Sequence, residues 1–217
     1  MLGHAAAVLE RIRNIGRILG RGSPSCRRPD ELAAMLAGEA AFVAQKTVTE
    51  FGRLRAGCNW ASLSRTEEFR REVERSRWRS YIVALGDVAE MTQILFRRAG
   101  AVEAAQPDRL GPVARRALFH HGTPPLDENW AAVAEAIEAR LGRALLAAPR
   151  PVHLLGERSG QLLFDLLPFS TNLRDFDRDF VVNSVRFTLC AVYARLERRI
   201  DVSALAQTLR APSAADG

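Results

Sequence analysis

The sequence predicts an all-α fold, an irregular bundle of seven to eight helices with a basic amphipathic helix at the N-terminus. Apolar residues recur at intervals of three and four along nearly all 217 residues, which is the helical period. No stretch shows the sustained alternation and β-branched enrichment of a strand. The length suits one domain, and 47% hydrophobic with 26% charged residues is typical of a globular protein. Helices that each have one apolar stripe bury those stripes by packing into a bundle.

The first predicted helix, over residues 2–19, stands apart from the others. The segment 20–29 that follows it contains two Gly, two Pro and two Ser, a composition typical of a linker. We therefore divide the chain into a basic N-terminal helix with its linker (residues 1–28), a helical bundle (residues 29–210) and a frayed tail (residues 211–217). The apolar positions of the first helix have helical spacing: Val8, Ile12, Ile15 and Leu19.

A second helix is predicted to begin at Pro29 and to run to about Arg55, with Gly57 as its stop. Proline is tolerated in the first turn, and the following Asp30 and Glu31 interact favourably with the positive end of the helix dipole. Gly57 supplies the backbone freedom that the end of a helix favours.

A third and longer helix is predicted from a capping box, formed by Ser64 and Glu67, to about Arg98. Its first half, residues 67–79, is mostly charged and is expected to be largely solvated. Its second half is expected to be buried, because it has a continuous apolar stripe. The stripe comprises Tyr81, Leu85, Val88, Thr92 and Leu95.

Five further helices are predicted after residue 100, and prolines or polar turns separate most of them, since proline cannot continue a helix. Their expected ranges are residues 107 to about 121, residues after Asp127 to about 147, residues 152 to 167, a helix from a turn at 170–172 to about 199, and a short helix after Asp201.

The positive charge of the chain is concentrated at its N-terminus. There are 31 Lys and Arg residues against 25 Asp and Glu residues, a formal net charge of +6. Residues 1–28 contain six arginines and one acid, Glu10, and therefore carry +5, which leaves +1 on residues 29–217. The arginine-rich character that would attract an anionic partner thus belongs to one helix and its linker.

The sequence predicts a cytoplasmic protein, with a peripheral membrane location as an alternative. No apolar run reaches the roughly 18 residues of a membrane-spanning helix. The N-terminus lacks the pattern of a secretory signal, and an organellar transit peptide is the alternative interpretation of this segment. Cys26, Cys58 and Cys190 are scattered, so reduced thiols are expected, with Cys190 buried on a helix. Lys46 is the only lysine, and this preference for arginine is typical of a GC-rich bacterial genome.

Two groups of residues could carry enzyme chemistry. Every second residue is an aspartate at Asp175, Asp177 and Asp179, and carboxylates with this spacing can supply the oxygen ligands that Mg²⁺ or Ca²⁺ needs. On a helix, however, Asp177 points away from the other two. We prefer the start of a helix, with acids in the first turn and with Phe176 and Phe180 packing inward. Lys46 lies in the middle of a helix. We expect the aliphatic part of its side chain to lie along the bundle with the ammonium group at the rim, rather than a desolvated amine that acts as a nucleophile. No cofactor motif, metal motif or nucleophile elbow is found, so no catalytic residue or cofactor is predicted.

The basic N-terminal helix is the strongest functional feature. One arc of its surface is apolar and the opposite arc is basic, which suits a partner's groove, an anionic membrane surface, phosphates or packing on its own body. In the charged half of the third helix, Phe69 and Trp78 are aromatic groups of the kind enriched at interfaces. The residues expected to bind a partner are Arg11, Ile12, Arg13, Ile15, Arg17, Leu19, Arg21, Phe69 and Trp78.

The sequence therefore favours a non-enzymatic helical interaction protein, such as an adaptor, an assembly factor or a complex subunit, that docks onto another protein through its basic N-terminal helix. A nucleic-acid-binding regulator is one alternative, although a proline-broken linker replaces the tight turn of a helix-turn-helix motif. A helical enzyme with a site near residues 175–179 or Lys46 is another. A homo-oligomer is compatible with each of these functions.

Overall fold

A computed structural model describes residues 26–101, 109–168 and 177–210. Within these ranges the chain forms seven helices of eight or more residues and no strand, which confirms the predicted all-α fold. The predicted N-terminal helix lies outside the described residues. In chain order the helices are α1 (Pro29–Ala56), α2 (Glu67–Arg98), α3 (Gly111–Leu118), α4 (Trp130–Leu146), α5 (Val152–Asp165), α6 (Arg178–Arg199) and α7 (Val202–Arg210). Two short helical turns, Gly57–Asn59 and Trp60–Leu63, connect α1 to α2.

Both ends of α1 agree with the prediction. Pro29 occupies its first turn, and the Glu31 carboxylate accepts hydrogen bonds from the backbone N–H groups of Arg27 and Arg28, at 2.9 and 3.1 Å. These hydrogen bonds, from Arg27 first, lower the pKa of Glu31. At the other end, Gly57 adopts a φ of 51°, which a glycine tolerates and most residues do not.

The start of α2 was expected at the right place but with the wrong cap. Thr66, in extended conformation, holds the cap position, whereas the Ser64 hydroxyl donates to the carbonyl of Ala61 at 3.2 Å. The prediction of a Ser64 cap is wrong because a short helical turn precedes α2 and uses Ser64 for its own last carbonyl groups. The two halves of α2 differ as predicted, with residues 84–96 buried without a break.

The later helices have shifted ends. α3 stops at Leu118, three residues before the expected end, and α4 begins at Trp130. Asn129, rather than Asp127, caps α4, because its side chain accepts a hydrogen bond from the backbone N–H of Ala132 at 3.2 Å. An asparagine directly before the first turn is as good a cap as an aspartate.

α2 is the central helix of the described bundle. It packs against α1, α3, α4, α5, α6 and α7, which explains why its second half is buried around most of its circumference. The largest fully buried side chains come from several helices, as in a single core: Phe96, Phe164, Leu36, Leu85, Met91, Leu118, Leu141 and Leu189.

Two glycines allow α5 and α6 to pack with their backbones close together. A Cβ atom at Gly156 would lie 2.9 Å from the Cα of Arg186, and one at Gly160 would lie 2.8 Å from the Cα of Val182. Residues four apart lie on one helix face, so both glycines point at α6. The spacing of these glycines therefore serves helix packing.

The cysteines correct one further expectation. Cys190 is exposed on α6, and Cys26 is the buried cysteine. The backbone of Cys26 forms a bridge to the end of α6, donating to the carbonyl of Arg199 and accepting from the N–H of Asp201, both at 3.0 Å. This bridge fixes the start of α1 beside the end of α6.

Candidate functional site

An exposed apolar groove lies between α1 and α6. The two helices run antiparallel, because Arg195 near the end of α6 binds Glu39 in the first half of α1, while Asp177 just before α6 binds Arg55 near the end of α1. We call the surface between these two ion pairs the α1/α6 groove. It exposes four large apolar side chains: Phe42, Leu54, Phe180 and Phe187.

Helical spacing on both helices builds the groove. The expectation that Phe180 packs inward is wrong, because Val181 and Val185 take the inward positions of α6 and Phe180 is left 59% exposed. The residues of α1 on this surface are Phe42, Lys46, Glu50 and Leu54, each four after the last. Those of α6 are Phe180, Ser184, Phe187 and Ala191, at spacings of four, three and four.

The charged groups in the groove are already paired. Arg195 donates to both carboxylate oxygens of Glu39, with Nη2 2.5 Å from Oε2, and its guanidinium lies over the ring of Phe42, 4.8 Å from the ring centre. Lys46 Nζ lies 2.5 Å from Glu50 Oε2. The groove therefore offers an apolar surface rather than free charge, and the stacked Arg195 holds Phe42 in place.

The dimensions of the groove match those of a short helix. Residues 39–55 of α1 rise by about 24 Å, at 1.5 Å per residue. One depression of about 560 Å³ lies beside Phe42 and Phe187, and a second of about 230 Å³ lies beside Leu54 and Phe180. Single exposed apolar residues are common on proteins, whereas a contiguous row marks a docking site.

A separate depression, outside the α1/α6 groove, lies between α1 and the first half of α2. This aromatic cavity has a volume of about 540 Å³. Phe69 and Trp78, which the sequence predicts to bind a partner, both line it and are half buried. Trp60 packs edge to face on Phe69, and Trp78 on Tyr81, each with 5.7 Å between ring centres. The structure thus brings these two predicted residues to one concave site.

Two polar side chains, Tyr81 and Arg77, lie at the wall of the aromatic cavity. The Tyr81 hydroxyl donates to the carbonyl of Ala117 at 2.6 Å, and burial raises the pKa of Tyr81 well above its ordinary value. Arg77 donates from a terminal nitrogen to Thr49 Oγ1 at 3.0 Å, but its buried Nε has no hydrogen-bond partner among the described residues. An acceptor atom of a bound molecule would satisfy this donor.

The other predicted residues do not converge on a site. Asp175 and Phe176 lie outside the described residues. Asp177 lies 3.2 Å from Arg55, and Asp179 is exposed in the first turn of α6. Lys46 is half buried, and its Nζ pairs with Glu50. Within the described ranges, no three His, Cys, Asp or Glu residues are placed to hold a metal ion. The N-terminal residues expected to bind a partner also lie outside these ranges: Arg11, Ile12, Arg13, Ile15, Arg17, Leu19 and Arg21.

The α1/α6 groove was not predicted from the sequence, although the positions of two of its aromatic residues in the sequence indicate it. Phe180 and Phe187 lie outside the apolar stripe of α6, and an aromatic residue outside such a stripe either stays exposed or meets another element. Phe42 gives no such signal, because its neighbours Ala41 and Val43 are also apolar and α1 is apolar around much of its circumference.

Comparisons with protein-family models, with curated proteins and with solved structures find no match for this chain. In the part of the chain that the structure describes, every helix is too short or too polar to cross a bilayer.

Proposed function

We propose that the protein is a non-enzymatic helical interaction protein, an adaptor or a subunit of a larger complex, and that the α1/α6 groove binds an amphipathic helix of a partner protein. The observation that carries this proposal is the row of four exposed apolar side chains along one groove. Burying such a side chain fully contributes about 1.5–3 kcal/mol. Phe187, 77% exposed, has the most surface to bury.

The geometry of the groove favours a helix as its occupant. Two antiparallel helices form a trough into which a third can pack, and about 24 Å accommodates about 16 helical residues. Such a partner would place apolar residues at spacings of three and four against the groove and keep its charges on the opposite face. Since the cations of the groove are paired internally, apolar fit rather than charge would select the partner.

The basic N-terminal helix predicted over residues 2–19 adds an independent contact in this proposal. Its apolar arc would enter a groove of the partner, and its arginines would pair with acids at the rim. The double substitution Ile12→Asp with Ile15→Asp places charge on the apolar arc, and circular dichroism of the variant checks that the bundle is still folded. Partner recovery that is unchanged by this substitution would remove the N-terminal helix from the proposal and leave the groove.

Affinity purification of the full chain with mass spectrometry tests the groove. The variant Phe187→Ser removes the most exposed aromatic side chain of the groove. The control Leu146→Ser removes an aliphatic side chain that is 81% exposed at the end of α4, away from the groove. We expect Leu146→Ser to recover the same partner as the wild type, and Phe187→Ser to recover at least about tenfold less, since 1.4 kcal/mol corresponds to a factor of ten. Equal recovery by both variants would contradict the proposal.

Binding of an organic ligand in the aromatic cavity is a second candidate function, favoured by the unpartnered Nε of Arg77. Native mass spectrometry of the chain purified from its own cells tests it. A bound small molecule whose occupancy falls in Arg77→Met supports this function, and a ligand-free mass in both proteins excludes it.

A further inference from the structure

A basic pocket lies where α2, α4 and α5 meet, on a different part of the bundle from the α1/α6 groove. Its volume is about 340 Å³. Glu90 is the acid among the residues that line it, and the basic residues outnumber it. The arginines that line this basic pocket are Arg97, Arg140, Arg143, Arg150 and Arg158.

Arg140 is fixed at the inner end of the basic pocket. Its Nη2 lies 2.6 Å from Oδ1 of Asp87, a fully buried residue of α2, and its Nε donates to Glu90 Oε2 at 2.9 Å. A Cβ atom at residue 86 would lie 2.5 Å from the Nη1 of Arg140, so Gly86 leaves the room that the guanidinium occupies. Two carboxylates and one glycine therefore hold this cation in a single position before any ligand arrives.

Among the residues that the structure describes, no carboxylate forms an ion pair with the other four arginines of the basic pocket. Arg97 donates to the carbonyls of Ala144 and Ala147, at 3.0 and 2.6 Å, at the end of α4. Three more form no ion pair or hydrogen bond within the described ranges: Arg143, Arg150 and Arg158. Cations that converge on one concave surface repel one another, and a bound anion would relieve that repulsion.

The rest of the lining suits an organic body. Gln93 and Ser159 bring polar side chains, and an apolar wall is formed by Ile94, Ala144, Ala148, Pro149 and Leu162. The volume lies at the small end of the range of ligand sites, which run from about 300 to 1,000 Å³. A pocket of this size admits a phosphorylated small molecule, whereas a nucleic-acid backbone needs an extended basic surface.

We propose that this pocket binds an organic phosphate with at least two negative charges, such as a nucleoside diphosphate. The planar guanidinium groups would form paired hydrogen bonds with the phosphoryl oxygens, as arginine forks do. The apolar wall would contact the organic part. The five arginines outnumber the carboxylates of Glu90 and Asp87 by three formal charges, which favours a ligand with at least two negative charges over a monoanion.

Isothermal titration calorimetry on the full chain tests this site, with inorganic pyrophosphate and adenosine diphosphate as probes. The double variant Arg143→Gln with Arg158→Gln removes two unpaired cations from exposed positions. Arg198→Gln is the matched control, since Arg198 is an exposed arginine of α6 that has no ion pair within the described ranges and lies outside the pocket.

We expect both probes to bind the wild type and the control, and to bind the double variant at least about tenfold more weakly, because each charge-assisted hydrogen bond is strong. Circular dichroism of the double variant confirms that it is folded. Tighter binding of adenosine diphosphate than of pyrophosphate supports an organic ligand, whereas the reverse order overturns the organic part of the proposal. No binding at millimolar pyrophosphate, equal affinity in the double variant, or tighter binding of a DNA duplex than of either probe would overturn the site.

Discussion

The close approach of α5 and α6 predicts that Gly160→Ala destabilises the protein, although alanine is the better helix former. The new Cβ would lie 2.8 Å from the Cα of Val182 and 3.0 Å from its carbonyl oxygen. Carbon atoms in contact normally lie about 3.5–4.0 Å apart, so α5 and α6 would have to separate by about 1 Å. The clashing atoms belong to the backbone, and therefore no side-chain rotation can relieve the overlap.

The magnitude follows from two opposing effects. Overpacking of this kind costs about 1–3 kcal/mol, and replacing a mid-helix glycine by alanine returns about 0.5–1 kcal/mol. The midpoints of these two ranges give a net loss of about 1 kcal/mol for Gly160→Ala. Gly142→Ala on α4 is the matched control, because no atom lies within 4 Å of the Cβ it would add. The control should gain about 0.5–1 kcal/mol from helix propensity alone.

Urea unfolding followed by circular dichroism measures both variants against the wild type. At this chain length, 1 kcal/mol corresponds to about 2–4 °C in Tm, so thermal scans should show shifts of opposite sign. A Gly160→Ala protein as stable as the wild type, or changes of the same sign in the two variants, would refute the close packing of α5 on α6.

Two further predictions concern buried ionisable groups. Burial raises the pKa of Asp87, and the charge of Arg140 opposes that rise, so Arg140→Gln should cost about 3–5 kcal/mol at neutral pH by leaving the carboxylate buried without its cation. In the folded variant Asp87 keeps its proton to a higher pH than in the unfolded chain, so the variant should lose stability as pH rises and recover part of it as pH falls. The urea midpoint of the variant should therefore lie further below that of the wild type at about pH 8 than at about pH 5. The same difference in midpoint at both pH values would contradict this. Burial also raises the pKa of Cys26 to about 11, so at about pH 8 only about one thousandth of this thiol is ionised. A disulfide reagent should therefore titrate Cys58 and Cys190 in the folded protein and Cys26 only after unfolding, and three equally fast thiols would contradict its burial.

Local signals in the sequence predict most of the helices, because their causes are local. Pro29 and Gly57 delimit α1 through backbone effects within one turn. The stripe from Tyr81 to Leu95 predicts the buried half of α2 because five apolar or small residues at helical spacing define a face. Ser64 fails as a cap because the competing turn before α2 has no strong sequence signature.

The candidate sites depend on neighbours that periodicity does not specify. Adjacent helical residues differ by about 100° in direction, so the rotation of α6 about its own axis decides whether Phe180 or Val181 faces the core. Asp87 is a charged residue in a buried stretch, and its partner Arg140 is more than fifty residues away in the chain. The sequence shows which residues share a helix face, but which helix covers that face is determined by the packing of the whole bundle.

Site-specific photocrosslinking from the α1/α6 groove tests the proposed interaction most directly. Benzoylphenylalanine replaces Phe187 in one protein and Leu146 in the other, and both are irradiated in their own cells. Crosslinks from position 187 to an amphipathic helix of one partner protein, absent from position 146, are the expected result. Crosslinks from position 187 only to residues 1–25 of the same chain, or the same set of proteins from both positions, would contradict a partner-binding groove.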